Sequence, residues 1–322
     1  MKRFVAPITW LVFACLVSGS ALSQSYPSKP VRLVVPYPAG GVVDVLGRII
    51  AEAIATNWGQ QIIVEPRPGA NAMIGTENVL NSPPDGYTWL LASQSHAANA
   101  ALYPDLRWDP AKDFVAAGLF ARSVNYFVVP TSLPVSDLRS YVAMAKAQPN
   151  KLSYGNPGNG TPSHLAFELF KRAADVEIEA IGYKGNPPLL ADLITGRLSA
   201  TILTAVLTNN NVKTGRIKPL AVMAEERTKE YPDVPTLAEA GYPDAQILSW
   251  FAVVIPAKVP PEVQNRIAAE VEKAAKAPVV QERLRKAGAV PSFVGAADFT
   301  AQIRKDVEIW KRVVKQAGIK AD

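Results

Sequence analysis

Three glycine-rich segments, each between an apolar β-type run and an apolar-periodic helical run, carry the strongest chemical signal in the sequence. The first is Pro36-Tyr37-Pro38-Ala39-Gly40-Gly41-Val42-Val43-Asp44. Gly40 and Gly41 have no side chain, so backbone N–H groups there can approach a ligand at a helix N-terminus, where the partial positive charge favours an anion. Asp44 falls in the first helical turn, where it either accepts a hydrogen bond from a ligand hydroxyl or ammonium or complements the helix dipole.

The second segment is Gly155-Asn156-Pro157-Gly158-Asn159-Gly160-Thr161-Pro162-Ser163-His164. Thr161 suits a helix N-cap and Pro162 the first helical position, so Asn159, Gly160 and Thr161 make a second anion cradle. Thr161 stands where a phosphate-binding Walker loop needs lysine, and no GxGxxG spacing occurs, which argues against nucleotides. The third segment, Tyr183-Lys184-Gly185-Asn186-Pro187, brings Lys184, a charge suited to a carboxylate or simply a solvated lysine beside a turn. A polar run, Ser93-Gln94-Ser95-His96-Ala97-Ala98-Asn99, follows a predicted strand, and parallel sheets bind ligands at strand carboxyl ends. Ser93, Gln94, Ser95 and Asn99 are its candidates, although turn chemistry explains the run nearly as well.

Catalytic constellations are sparse. His96 and His164 are the two histidines, and no GxSxG or HExxH occurs; two histidines make a poor metal site. The sequence expectation is therefore a binding protein that is not an enzyme and needs no cofactor. The enzyme alternative is a hydrolase or lyase using His164 with Asp44.

These loops need a scaffold that repeats strand, loop, helix. Val31 to Val35, Gln61 to Glu65, Thr88 to Ala92 and Phe114 to Phe120 read as strands, with helices over Val43 to Ala55 and Gly75 to Leu80. A second unit starts near Asn125. Its strands are Tyr126 to Val129, Leu152 to Tyr154, Glu179 to Tyr183, Ala200 to Leu203 and Leu220 to Met223; its helices are Leu138 to Ala147, Leu165 to Ala173 and Pro188 to Thr195. Such alternation predicts layered α/β with mainly parallel sheets. The apolar strand Ser249 to Ile255 mirrors Phe127 to Pro130, and the two read as paired crossings between domains. Amphipathic helices at Pro261 to Ala275, Pro278 to Ala287 and Ala297 to Ala317 must bury their apolar faces, and are expected back on the first domain. The expected division is 24–124 with 249–322 as domain 1 and 125–248 as domain 2. Tyr37, Tyr126 and Trp250 are aromatics that would either flank a pocket and favour a planar ligand or fill a core.

Met1-Lys2-Arg3, an apolar stretch from Phe4 to Val17 and small residues at Ala21 and Ser23 make residues 1–23 a secretory signal peptide cleaved after Ser23. The apolar stretch is short of the ~20 residues that span a bilayer. Cys15, the single cysteine, lies inside it, so the mature chain is expected to have no disulfide or thiolate chemistry. The context Val12-Phe13-Ala14-Cys15 resembles a lipoprotein cleavage site only loosely, because Phe13 is bulky. The formal charge of +6 becomes +4 without Lys2 and Arg3, a mild bias toward anions with no basic run to suggest nucleic acid.

Several ordered motifs together resemble one family. The strand followed by Pro-x-x-Gly-Gly-x-x-Asp, Glu65-Pro66-Arg67-Pro68-Gly69-Ala70, Pro84-Asp85-Gly86-Tyr87-Thr88, Gly158 to Thr161 with His164, Tyr183-Lys184-Gly185, Asp233-Val234-Pro235-Thr236 and Ser249-Trp250-Phe251 look like those of the Bug (TctC-like) substrate-binding receptors. The resemblance covers essentially the whole mature chain. It implies a periplasmic, Venus-flytrap binding protein of type II-like build, with two α/β domains and a hinge. It further implies a monomer, with no cofactor, that serves the membrane permease subunits of a tripartite tricarboxylate transporter. It assigns a ligand carboxylate to the loop Tyr37, Pro38, Ala39, Gly40, Gly41 to Asp44, largely through backbone groups and water. The loop from Asn159 to His164 would close on the ligand from the second domain, with Tyr183, Lys184 and Gly185 beside it.

Where family members often carry threonine, alanine and an acidic residue, this chain has Val43, Gly47 and Ser199. Val43 subtracts a hydroxyl from the first loop and leaves open whether the ligand is a di-, tri- or aromatic carboxylate. A receptor feeding a two-component sensor instead of a permease is the alternative within binding proteins, and a structural envelope protein the remaining class.

Overall fold

Val31, Leu33, Val34 and Val35 are all essentially inaccessible because the strand they form is flanked on both edges and both faces, which is why it reads as a continuous apolar run rather than an alternating one. The computed structural model describes residues 26–317, apart from 246 and 248. The predicted signal peptide, Cys15 and its lipoprotein-like context therefore lie outside the described residues.

The first sheet has the order β11-β4-β10-β3-β1-β2. Its strands are β1 (Val31–Val35), β2 (Ile62–Pro66), β3 (Thr88–Ser93), β4 (Phe114–Ser123), β10 (Ser249–Pro256) and β11 (Ala289–Gly295). The second has the order β7-β6-β8-β5-β9, from β5 (Asn125–Pro130), β6 (Ser153–Asn156), β7 (Glu179–Gly182), β8 (Ala200–Thr204) and β9 (Ile217–Met223). Both sheets are mixed rather than mainly parallel. β1 is parallel to β2 and β3, and β6 to β7 and β8, but β10 runs antiparallel to both neighbours, β11 to β4, and β5 to both of its neighbours. β5 and β10 are entered from the other sheet, so no crossover helix sets their direction.

The helices are α1 (Val42–Trp58), α2 (Met73–Leu80), α3 (Ser95–Leu102), α4 (Leu138–Ala147), α5 (Pro162–Ala174), α6 (Asn186–Ile194), α7 (Ala205–Val212), α8 (Pro261–Lys276), α9 (Pro278–Lys286) and α10 (Ala296–Ala317). As expected, α8 and α9 return to the first sheet. Ile267, Val271, Val280 and Leu284 share a core there with Leu46, Ile50 and Ile54 of α1. The stripe Phe299, Ile303, Val307, Trp310 and Val314 of α10 joins a core that includes Ala98 and Leu102 of α3 and also Phe167 and Phe170 of α5. One apolar cluster therefore runs from the first sheet into the second. Leu189 and Leu193 of α6 cover the opposite face of the second sheet with Val128 and Leu203.

β5 and β10 are the first strands after the two passages between the sheets. Each belongs wholly to one sheet, and the crossings are the segments that lead into them. β4 ends at Ser123 and β5 begins at Asn125, so Val124 alone makes the outward crossing; the return runs from Met223 to Ser249, whose register partner is Ser123. Four elements escaped the sequence reading. The polar run after β3 is helix α3, Ala205–Val212 forms α7, Pro243–Ala245 forms a single 3-10 turn, and Ala289–Gly295 forms β11.

Candidate functional site

A cavity of about 280 Å³ opens between the two sheets beside the crossings. Tyr37, Ser93, Gln94, Ser95 and Thr161, all candidates from the sequence, line it, and Trp250 joins them. Its remaining wall includes Val43, Asn71, Asn125, Ser163, Asn186, Ile202, Thr204 and Ser249. No lining residue carries a formal charge.

The first turns or caps of five helices meet at this cavity: α1 through Val43, α3 through Gln94 and Ser95, α5 through Thr161 and Ser163, α6 through Asn186, and α7 through Thr204. The leading N–H groups of a helix lack intrahelical acceptors and carry about half a positive charge between them. Of the five, only α5 has a side chain capping its own N-terminus; the cap positions Gly41, Gln94, Gly185 and Thr204 accept no such bond. By contrast α4, which does not line the cavity, is closed by a full capping box between Asp137 and Ser140. With no charged residue in the wall, these backbone dipoles are what would favour an anion there, and on α1 the ionised Asp44 of the first turn offsets its share.

Two loops on opposite sheets are held by the same device. The Gly40 N–H donates to Oδ2 of Asp44 at 3.0 Å, and the Gly160 N–H donates to Nδ1 of His164 at 3.0 Å. Both glycines have left-handed φ, +78° and +74°, which costs other residues roughly 1 kcal/mol or more. Gly160 also lies so close to Leu102 of α3 that a β-carbon would sit 3.1 Å from its Cδ1. Asp44 is 2% exposed and accepts two further bonds from the Arg48 guanidinium at 3.0 and 3.1 Å. Burial raises its pKa, but the bonds from Arg48 and Gly40 outweigh burial and hold the carboxyl below its ordinary range. His164 must be unprotonated at Nδ1 to accept from Gly160.

This geometry revises the part assigned to the first glycine pair. The Gly40 N–H is spent on Asp44, and the Gly41 N–H points to the Pro38 carbonyl at 3.3 Å. Pro38, Ala39, Gly40 and Gly41 form an exposed loop tip outside the cavity wall. Asp44 and His164 also stand outside the wall, as the residues that set the two loops.

The other predicted residues divide in the same way. The Tyr37 hydroxyl donates to Ser95 at 3.1 Å and bonds Ser93 at 2.5 Å, making one hydroxyl cluster across the loop, and burial pushes its pKa up. Gln94 receives a bond from Ser249, which receives one from Asn125, so this chain of three ties the cavity floor to both crossings. Asn99 is completely buried and exchanges two 2.8 Å bonds with Asn71, whose backbone is left-handed, φ +47°. It positions Asn71, which lines the cavity in its place. Gly160 and Gly185 lie in the loops but contribute no wall, and Asn159 and Lys184 are exposed beyond it. Tyr183 donates to Asp192 at 2.8 Å; burial, then the bond to Asp192 and its charge, push the phenol up to about 12. Tyr126 faces elsewhere and bonds Thr228 at 2.8 Å.

Asn71, Asn125 and Thr204 were missed by sequence reasoning. Thr204 had a usable signal, a good N-cap residue directly before an Ala-Val-Leu run. Asn125 had none, because its role comes from the crossing. Among the described residues, no group of three or more His, Cys, Asp or Glu is placed to hold a metal, and no helix is long and apolar enough to cross a membrane.

Comparison with known proteins agrees with this architecture. The UPF0065 protein encoded in the tcbD-tcbE intergenic region of Pseudomonas sp. strain P51 is 34% identical over 301 residues, covering 93% of this chain and 89% of the relative. BugT of Bordetella pertussis is 29% identical over 322 residues, 99% of each chain. Among solved structures, an R. palustris protein with adipate is 34% identical, with a TM-score of 0.80 over 92% of this chain and 100% of that one. MatC of Rhodopseudomonas palustris with bound malate is 26% identical, with a TM-score of 0.76 over 90% and 100%. Residues 46–319 match the family described as "Tripartite tricarboxylate transporter family receptor", and the chain therefore belongs to that family, TctC, as the motifs implied.

Proposed function

We propose that the protein is an exported periplasmic receptor that captures a small carboxylate between its two sheets, releases it unchanged, and hands it to the permease subunits of a tripartite tricarboxylate transporter. The two units act as domains, 24–124 with 249–322 and 125–248, hinged at Val124 and the return crossing. The observation that carries this reading is the meeting of five helix N-terminal turns, four without a side-chain cap, around one cavity with no charged lining. An anion supplies what those N–H groups lack, and because the turns come from both sheets, it rewards closure. Binding without turnover is supported by the positions of Asp44 and His164, each of which already serves a glycine N–H of its own loop.

The test is a thermal-shift screen against adipate, malate, tricarboxylates, aromatic carboxylates and neutral polyols. A ligand present at 100 times its Kd adds about 2.7 kcal/mol to stability, several degrees in Tm. The reading predicts such a shift with at least one carboxylate and none with polyols. A shift confined to uncharged compounds, or chemical conversion of the bound carboxylate, would overturn it.

A further inference from the structure

The two walls of the cavity between the sheets hold opposite kinds of hydrogen-bonding capacity. On the first-sheet side the polar side chains are spent on one another. Tyr37 bonds Ser93 and Ser95, Asn71 bonds the buried Asn99, and Gln94 receives the Ser249 hydroxyl. What this wall has left to offer is backbone. α1 brings Val43 and α3 brings Ser95 to the cavity, and among the described residues neither N–H has an acceptor.

The second-sheet side is the reverse. Proline has no N–H to give, and Pro162 opens α5 while Pro187 and Pro188 follow Asn186 at the start of α6. The next N–H of α5 after Ser163, that of His164, goes to the Thr161 hydroxyl, and the first of α7, that of Ala205, goes to the Val124 carbonyl at 2.9 Å. Here the side chains are free instead. Those of Ser163, Asn186 and Thr204 line the cavity half-buried, and among the described residues none of them makes a hydrogen bond. Their neighbours in this wall include the apolar Pro157, Pro162 and Ile202.

Walls so different cannot treat the two ends of a ligand alike. An ionised carboxylate only accepts hydrogen bonds, and the N–H groups of Val43 and Ser95 are donors at helix starts. They provide for one carboxylate, since Asp44 offsets part of the α1 dipole. Taking a second carboxylate out of water needs an equal set of donors or a cation. The second wall has lost backbone donors to its prolines and carries no cation, Lys184 being exposed beyond it. Two hydroxyls and an amide both donate and accept, which matches a neutral polar group.

We propose that the cavity selects a linear monocarboxylate whose far end is a neutral hydrogen-bonding group, a hydroxyl or a primary amide, over the corresponding dicarboxylate. The carboxylate lies at Val43 and Ser95, and the neutral end is read by Ser163, Asn186 and Thr204 when the second unit closes. This inference rests on carboxylate capture as proposed above and narrows it to one class.

The experiment is calorimetric titration of two length-matched sets: butyrate, 4-hydroxybutyrate, succinamate and succinate, then hexanoate, 6-hydroxyhexanoate, adipamate and adipate. The proteins are the wild type, Ser163→Ala, Asn186→Ala, Thr204→Val and the triple variant, each checked for a native melting transition. In the set that binds more tightly, a neutral-ended acid should bind the wild type at least about tenfold better than both the dicarboxylate and the alkyl acid. Its advantage over the alkyl acid should shrink severalfold in Asn186→Ala and in Thr204→Val, and disappear in the triple variant. Should the triple variant fail to fold, the single variants decide. A smaller advantage over either competitor, a dicarboxylate that binds best, or an advantage untouched by the substitutions would each overturn the inference while leaving carboxylate capture intact. No binding by any of these acids would instead count against carboxylate capture itself, and this inference would fall with it.

Discussion

Nδ1 of His164 accepts the backbone N–H of Gly160 at 3.0 Å, so this histidine fixes the shape of a loop beside the cavity. Its counterpart across the cavity is Asp44, which accepts from Gly40 at the same separation. In each case the acceptor stands four residues after the glycine, on the first turn of the following helix. The electropositive helix ends are held in place by side chains that themselves stay out of the cavity.

His164→Ala leaves the buried Gly160 N–H without an acceptor, a loss of about 1–3 kcal/mol. The expected result is a Tm lower by several degrees, carboxylate affinity reduced about tenfold or more, and a native circular dichroism spectrum. Unchanged affinity would mean that the Gly160 loop does not need its lock.

Gly40→Val places its side chain in open space, because nothing lies within 4 Å of a β-carbon there. The cost is conformational, about 1–2 kcal/mol for leaving the left-handed region or staying in it. Titration should show weakened rather than abolished binding, as the loop shifts off Asp44. Complete loss with full stability would instead place the ligand against Gly40 itself.

Tyr37→Phe removes the hydroxyl that joins Ser93 and Ser95. Stability should fall by about 1 kcal/mol, read by chemical denaturation, and affinity should fall severalfold as the two serines lose their fixed orientation.

Two buried groups give the protein opposing pH responses in one window. Burial pushes His96, stacked on Trp108 at 5.1 Å, down to about 4, against the raising pull of the Pro110 carbonyl and Asp109. Its folded pKa lies below the unfolded value, so the stability it permits is present above about pH 6.5 and is lost as pH falls toward 4. Burial pushes Asp306 up to about 6, although the Trp250 indole donates to it and Arg122 lies near. Its folded pKa is raised, so its contribution is full below about pH 4 and is lost as pH rises through 6. The two nearly cancel between pH 4 and 6. Asp306→Asn should therefore stabilise the protein at pH 7.5 by up to ~2 kcal/mol and uncover a stability that drops as pH falls from 6.5 to 4. Denaturation midpoints across pH check this; an unchanged profile would show that Asp306 does not titrate in the window.

The alternating strands and helices were legible because apolar runs and turn residues mark them locally, and α8, α9 and α10 were assigned to the first sheet because their apolar faces needed one. The antiparallel entry of β5 and β10 was not legible, since strand direction depends on where the chain crosses and not on residue type. Alanine-rich α3 was hidden by its polar face: Ser95 lines the cavity and Asn99 supports Asn71, so function placed polar residues on a helix that otherwise packs inward. The site was half legible. Of the candidates, Tyr37, Ser93, Gln94, Ser95 and Thr161 line the cavity, whereas Asp44, His164 and Asn99 stand one step back, a distinction that only hydrogen-bond geometry makes. Asn125 could not be found because β-strand starts carry no mark of being a crossing.

The central claim is that helix N-termini, not charged side chains, bind a carboxylate between the two sheets. Its most direct measurement is a paired calorimetric titration of the tightest-binding carboxylate of the panel and its amide, which keeps the shape and removes the charge. The account predicts that the carboxylate binds at least a hundredfold more tightly and that this preference is kept in Lys184→Ala, whose lost charge lies outside the cavity. Equal affinity for acid and amide, or a preference that disappears with Lys184, would contradict it.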